Sequence, residues 1–92
     1  MKDWINASRV SNFIYLIEQE LFNRGFQYKK DFVSSGNWVK TKKAYLKVER
    51  GDGEDKVKII IARDGKNGFI CVFNLSCDEL LDNVEAFTIL LL

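Results

Sequence analysis

Between residues 29 and 47 the chain carries six lysines, Lys29, Lys30, Lys40, Lys42, Lys43 and Lys47, against a single acid, Asp31, with Trp38 and Tyr45 among them and Tyr28 just before. Such a stretch suits a phosphate backbone: lysines release counterions when they bind it, and an exposed aromatic ring offers a stacking plane worth about 1–3 kcal/mol per base. The competing reading is a solvated strand, whose lysines discourage sheet-to-sheet aggregation while the aromatics face the core. A net charge of +1 favours the second, because dedicated nucleic-acid binders are far more basic. Residues 74–92 have the opposite balance, with Asp78, Glu79, Asp82 and Glu85 and no base. An acidic surface of this kind suits the basic groove of a nucleic-acid enzyme.

Catalytic chemistry finds little support. There is no histidine, which removes Ser-His and Cys-His nucleophile pairs along with the commonest metal ligand. Cys71 and Cys77, six positions apart, do not complete a tetrahedral zinc site. Both are expected to be reduced structural thiols: Cys71 alternates with Phe69 and Phe73 as a small buried hydrophobe, and Cys77 sits in the first turn of an expected helix, where the dipole lowers a thiol pKa but no basic partner or resolving thiol follows. Glu54-Asp55-Lys56, downstream of Asp31, has the acidic-x-lysine form of metal-dependent nucleases. Those groups stand on a strand, however, and this set falls in a polar turn. Gly65-Lys66-Asn67-Gly68 has the GxxG form with which KH domains hold a nucleic-acid backbone between two helices, whereas here it joins two strands and reads as a hairpin. The expectation is a protein that is not an enzyme and uses no cofactor and no metal.

The elements that carry these residues follow from periodicity. Val10, Phe13, Ile14, Ile17 and Leu21 recur at three- and four-residue steps and predict a helix over residues 7–24, with Asn6 as N-cap, Ile5 and Val10 as a hydrophobic staple, and Gly25 as the left-handed stop. From Phe26 the period becomes two, with Phe26, Tyr28 and Phe32 on one face, and Ser34-Ser35-Gly36-Asn37 ends that strand in a turn. Residues 38–48 predict a second strand, bulged near Lys42-Lys43. One parity holds Trp38 with Ala44, Leu46 and Val48, facing inward, and the other places Tyr45 with Lys43 and Lys47 outward. Val57, Ile59, Ile60 and Ile61 make a third strand. Residues 69–75, apolar on both faces, make a fourth, expected inside the sheet rather than at its edge. Ser76-Cys77-Asp78-Glu79 matches a capping box, so a second helix is expected to begin there. Leu80, Leu81, Val84, Phe87 and Leu91 continue its stripe, although residues 86–92 also alternate as a strand would.

These elements make one α+β domain over residues 1–92: an N-terminal helix, a four-stranded antiparallel meander with connections too short for parallel crossovers, and a C-terminal helix. A composition of 47% hydrophobic and 29% charged residues belongs to a globular chain, and no apolar run approaches the length of a membrane helix. Met1-Lys2-Asp3-Trp4 lacks the form of a secretory signal, so a cytoplasmic address without membrane association is expected. Apolar material is left over. Trp4, Ser11, Tyr15 and Phe22 fall at steps of seven, four and seven along a second face of the first helix, and residues 89–92 are apolar all round, for packing into the core or into a homodimer. The favoured reading is therefore a small protein-binding module, an accessory or inhibitory protein of the phage or mobile-element kind, using Tyr15, Phe22, Asp78, Asp82 and Glu85. The rival is a nucleic-acid-binding domain using Lys29, Lys30, Lys40, Lys42, Lys43, Tyr45 and Lys47.

Overall fold

The computed structural model describes residues 7–31 and 37–92. Asn6, Ile5, Trp4, Phe32 and the turn at residues 34–36 lie outside the described residues. Helix α1 (Ala7–Asn23) places Val10, Phe13, Ile14, Ile17 and Leu21 in the core. It stops as its sequence requires. Gly25 takes φ +78°, its N–H bonds the carbonyl of Phe22 at 3.0 Å, and the Phe26 N–H reaches back to Leu21 at 2.9 Å. This is the paired hydrogen bonding with which a left-handed glycine satisfies the last carbonyls of a helix.

An antiparallel meander follows: β1 (Lys29–Asp31), β2 (Trp38–Lys40), β3 (Ala44–Arg50), β4 (Lys56–Arg63) and β5 (Phe69–Ser76), lying side by side in chain order. The first strand is shorter than its alternation predicts, because Phe26 and Gln27 precede the pairing that begins at Lys29. The predicted second strand is present as two. Its expected bulge near Lys42-Lys43 is instead a complete reversal, so Val39 lies opposite Leu46 and Lys40 opposite Tyr45. Thr41 makes that reversal: its hydroxyl accepts the N–H groups of Lys43 and Ala44, at 3.3 and 3.2 Å.

After β5 the expected capping box forms, with the Glu79 carboxylate accepting the Ser76 N–H at 2.8 Å and the Ser76 hydroxyl at 3.2 Å. What it opens is not yet an α-helix. Two 3₁₀ turns, Cys77–Glu79 and Leu81–Asn83, come first, and α2 spans only Val84–Leu91. Residues 86–91 are thus helical rather than extended. Leu91 is buried and Leu90 and Leu92 pack against the core, while Ile89 is exposed. The last carbonyls of α2 are taken by the sheet: Thr41 Oγ1 donates to Leu91 at 3.0 Å and Arg63 Nη1 to Leu90 at 3.4 Å.

Both helices cover one face of the sheet, α1 against α2 and against β2, α2 against β3 and β4. The core between the layers takes Val39, Leu46, Val48, Val57, Ile59 and Ile61 from the strands. Phe87 joins the layers, its ring edge-on to Phe13 of α1 at 5.8 Å and to Phe73 of β5 at 5.2 Å. Such aromatic pairs add to what their buried area contributes. No described helix is long and apolar enough to cross a membrane.

Candidate functional site

Among the described residues the other face of the sheet carries no helix, and strand register determines what stands on it. Residues directly opposite in an antiparallel pair share a face. One row across the sheet reads Lys29, Lys40, Tyr45, Ala62, Ile70, and the next reads Trp38, Lys47, Ile60, Val72. A third holds Glu49, Lys58 and Asn74. The open face thus has two halves, cationic and aromatic over β1–β3 and aliphatic over β4–β5. Ile70 and Val72 are 75% and 53% exposed, with Ile60 and Ala62 half-buried beside them.

Trp38 therefore does not face the core. The hairpin at Lys42-Lys43 reverses the chain, so the inward residue of β2 is Val39, fully buried opposite Leu46, and Trp38 turns outward with Lys40. There its ring stacks on Tyr45 with centroids 6.1 Å apart and planes 29° from parallel, and the Lys40 ammonium lies 5.9 Å from the indole centroid. A lysine over an indole face gains about 0.5–1 kcal/mol at an exposed site. Sequence alternation misplaces Trp38 because it treats residues 38–48 as one continuous strand. The only local signal of the reversal is Thr41, a hydroxyl residue just before a polar pair, able to fold the backbone onto itself.

The lysines gather at one end of this face. Lys29, Lys40 and Lys42 border a cleft of about 680 Å³ together with Gln27, Tyr28 and Thr41. Lys43 lies around the hairpin tip, on a neighbouring cleft of about 340 Å³ beside Phe26 and Leu92. Lys47 forms an ion pair with Glu49 at 3.5 Å, a half-exposed contact of small energetic value. Lys30 is paired in register with Val39, and its side chain lies outside the described residues. Of the lysine and aromatic set, Lys29, Lys40, Tyr45 and Lys47 share one face.

The other predicted set is dispersed. Tyr15 and Phe22, 54% and 69% exposed, stand two helical turns apart on α1. The acids occupy the segment after β5 and are partly engaged within the chain: Asp78 pairs with Arg9, and Glu85 lies 3.7 Å from Arg24, which also pairs with Glu20 at 3.2 Å. Asp82 is exposed. Asp78 and Glu85 thus spend part of their charge on α1 itself.

The remaining chemical candidates are placed apart or inside. Asp31 lies on β1 and Glu54-Asp55 in the β3–β4 turn, more than two strand spacings or about 10 Å apart. Among the described residues no cluster of three His, Cys, Asp or Glu could hold a metal ion. Gly65-Lys66-Asn67-Gly68 is the β4–β5 hairpin, closed by a Gly68 N–H bond to Gly65 at 3.0 Å. Cys71 is only half-buried. Cys77 is buried, and burial, with Asp55 nearby, pushes its thiol pKa up, opposite to the lowering expected at a helix start. Comparison with protein families, curated proteins and solved structures finds no match to this chain.

Proposed function

We propose that this protein is a non-catalytic protein-binding module whose contact surface is the helix-free face of its sheet. The observation that carries the reading is the apolar band on this face, which runs from the half-buried Trp38–Tyr45 stack through half-buried Ile60 and Ala62 to exposed Ile70 and Val72. Folding of the chain by itself gains nothing from leaving these side chains in water, and contiguous exposed apolar surface marks interaction sites. Tryptophan and tyrosine are the residues on which interface energy concentrates. Lys29, Lys40 and Lys47 at one end of the band call for a partner whose docking surface is apolar with an acidic margin.

The test is affinity capture of the partner from the native host, followed by titration of the purified pair. Trp38→Ala is expected to weaken binding about 30-fold, equivalent to ~2 kcal/mol, while the loss of the Tyr45 stack and the Lys40 contact lowers the melting temperature by only a few degrees and leaves the fold intact. Tyr15→Ala and Phe22→Ala are expected to leave the affinity intact. If they abolish it while Trp38→Ala does not, the contact surface lies on α1 and the reading fails.

One observation favours a second reading, binding of single-stranded nucleic acid. The Trp38–Tyr45 stack has a lysine over the indole and further lysines in the adjoining register positions, the combination that tracks a backbone and stacks bases. Oligonucleotide titration separates the two readings. Direct binding would weaken steeply with salt and vanish when Lys29, Lys40 and Lys47 are reversed to glutamate.

A further inference from the structure

Strand β5 has the composition of an interior strand and the position of an edge. Its eight residues, FICVFNLS, contain no charge, no proline and no glycine. They pair with β4 without a bulge from Phe69 opposite Arg63 to Ser76 opposite Lys56. Among the described residues nothing pairs with its outer side, although both of its faces are apolar: Ile70 and Val72 toward the open face, Phe69, Cys71, Phe73 and Leu75 toward the helices. Natural sheets blunt an exposed edge with charge, proline, a bulge or brevity, and β5 has none of these. The opposite edge, β1, has three residues, two of them lysines.

We infer that β5 is completed by a second copy of this chain, paired antiparallel along this edge about a two-fold axis perpendicular to the sheet. Such an interface is self-complementary, since one patch meets itself reversed. The charges at the two ends of β5 fit that reversal. Arg63 at the end of β4, with Asp64 and Lys66 in the hairpin preceding β5, leaves an excess of one positive charge (+2 − 1), although Arg63 also donates to the Leu90 carbonyl. At the other end Asp78, Glu79 and Asp82 stand with Lys56, opposite Ser76, and Arg9, paired with Asp78, an excess of one negative charge (−3 + 2). Antiparallel pairing sets the basic end of each copy beside the acidic end of the other, whereas parallel pairing would set like against like. The same axis keeps both helix layers on one side and both open faces on the other. The aliphatic halves then meet at the centre of a ten-stranded sheet, with a Trp38–Tyr45 stack toward each end. This inference does not depend on what the open face binds.

Light scattering on the purified protein across a concentration series is expected to show a mass rising to twice that of the chain. Hydrogen exchange is expected to show alternate β5 amides, those pointing away from β4, becoming protected as the dimer forms. Val72→Lys, a substitution at a half-exposed side chain, is expected to return the mass to that of one chain with the fold retained by circular dichroism, because it puts two lysines near the axis. Lys66→Glu is expected to weaken the dimer without touching the sheet. Trp38→Ala is expected to leave it intact, so loss of open-face binding and loss of the dimer are read separately. A single-chain mass at the highest attainable concentration, with fast exchange at those amides, overturns the proposal. So does a dimer that survives Val72→Lys with unprotected β5 amides.

Discussion

The two edges of this sheet solve the same problem in opposite ways. At β1 the chain has three residues, two of them lysines, and borders a cleft that Lys29, Lys40 and Lys42 line, so no second strand is invited. At β5 it runs eight uncharged residues in unbroken register and leaves their outer hydrogen-bonding groups without a strand among the described residues. The difference lies in anchoring as well as in composition. β5 is fastened to both helices through Phe73, Phe87 and Phe13, while the β1–β2 edge is held mainly by Val39 and by the Thr41 link to the end of α2. An edge that is rigid, long and apolar is suited to receive a partner strand, and one that is short and charged is suited to face water.

Substitutions that separate the anchors from the surfaces should differ widely in cost. Phe87→Ala removes the ring that both Phe13 and Phe73 meet edge-on, and is expected to cost about 3–5 kcal/mol in denaturant unfolding, enough to loosen β5 from the helices. Thr41→Val keeps the shape but leaves the Lys43 and Ala44 N–H groups and the Leu91 carbonyl without their hydroxyl partner. A loss of about 1–3 kcal/mol is expected, with faster amide exchange confined to the β2–β3 hairpin and the end of α2.

A smaller effect is expected at the segment that follows β5. Hydrogen bonds from the Ser76 N–H and hydroxyl hold the Glu79 carboxyl below its usual range. A pKa lowered by folding stabilises the native state above the unfolded value, and that contribution is lost as the pH falls through the folded value. Melting temperature should therefore fall on acidification below the ordinary glutamate range, and Glu79→Gln should flatten that slope. The smallest change is expected from Lys29→Ile, within about 0.5 kcal/mol in stability. Its readout is association: removing a lysine from the protected edge should introduce weak self-association that the parent chain lacks at β1.

Much of the architecture was legible because its causes are local. The α1 stripe, the Gly25 stop, the Ser76–Glu79 capping box and the turns at residues 51–55 and 64–68 each rest on side chains within a few positions of one another. The candidate face was half legible. Lys29, Lys40, Tyr45 and Lys47 are found by charge density and alternation, but Trp38 is assigned to the wrong side, since parity fails wherever a strand reverses instead of continuing. Ile60, Ala62, Ile70 and Val72 read from sequence only as strand residues, because an aliphatic side chain signals a site only once the face it stands on is known to be uncovered.

Composition and period by themselves determined the fold class and the core stripe of α1, since these follow from local steric preference and the separation of apolar from polar positions. Tertiary structure alone decided that Trp38 faces solvent and that β5 lies at the edge. The first depends on Thr41 accepting two N–H groups while donating to Leu91, fifty residues away in sequence. The second depends on strand order: among the described residues a meander that ends in β5 has no further strand to cover it, however interior its residues are.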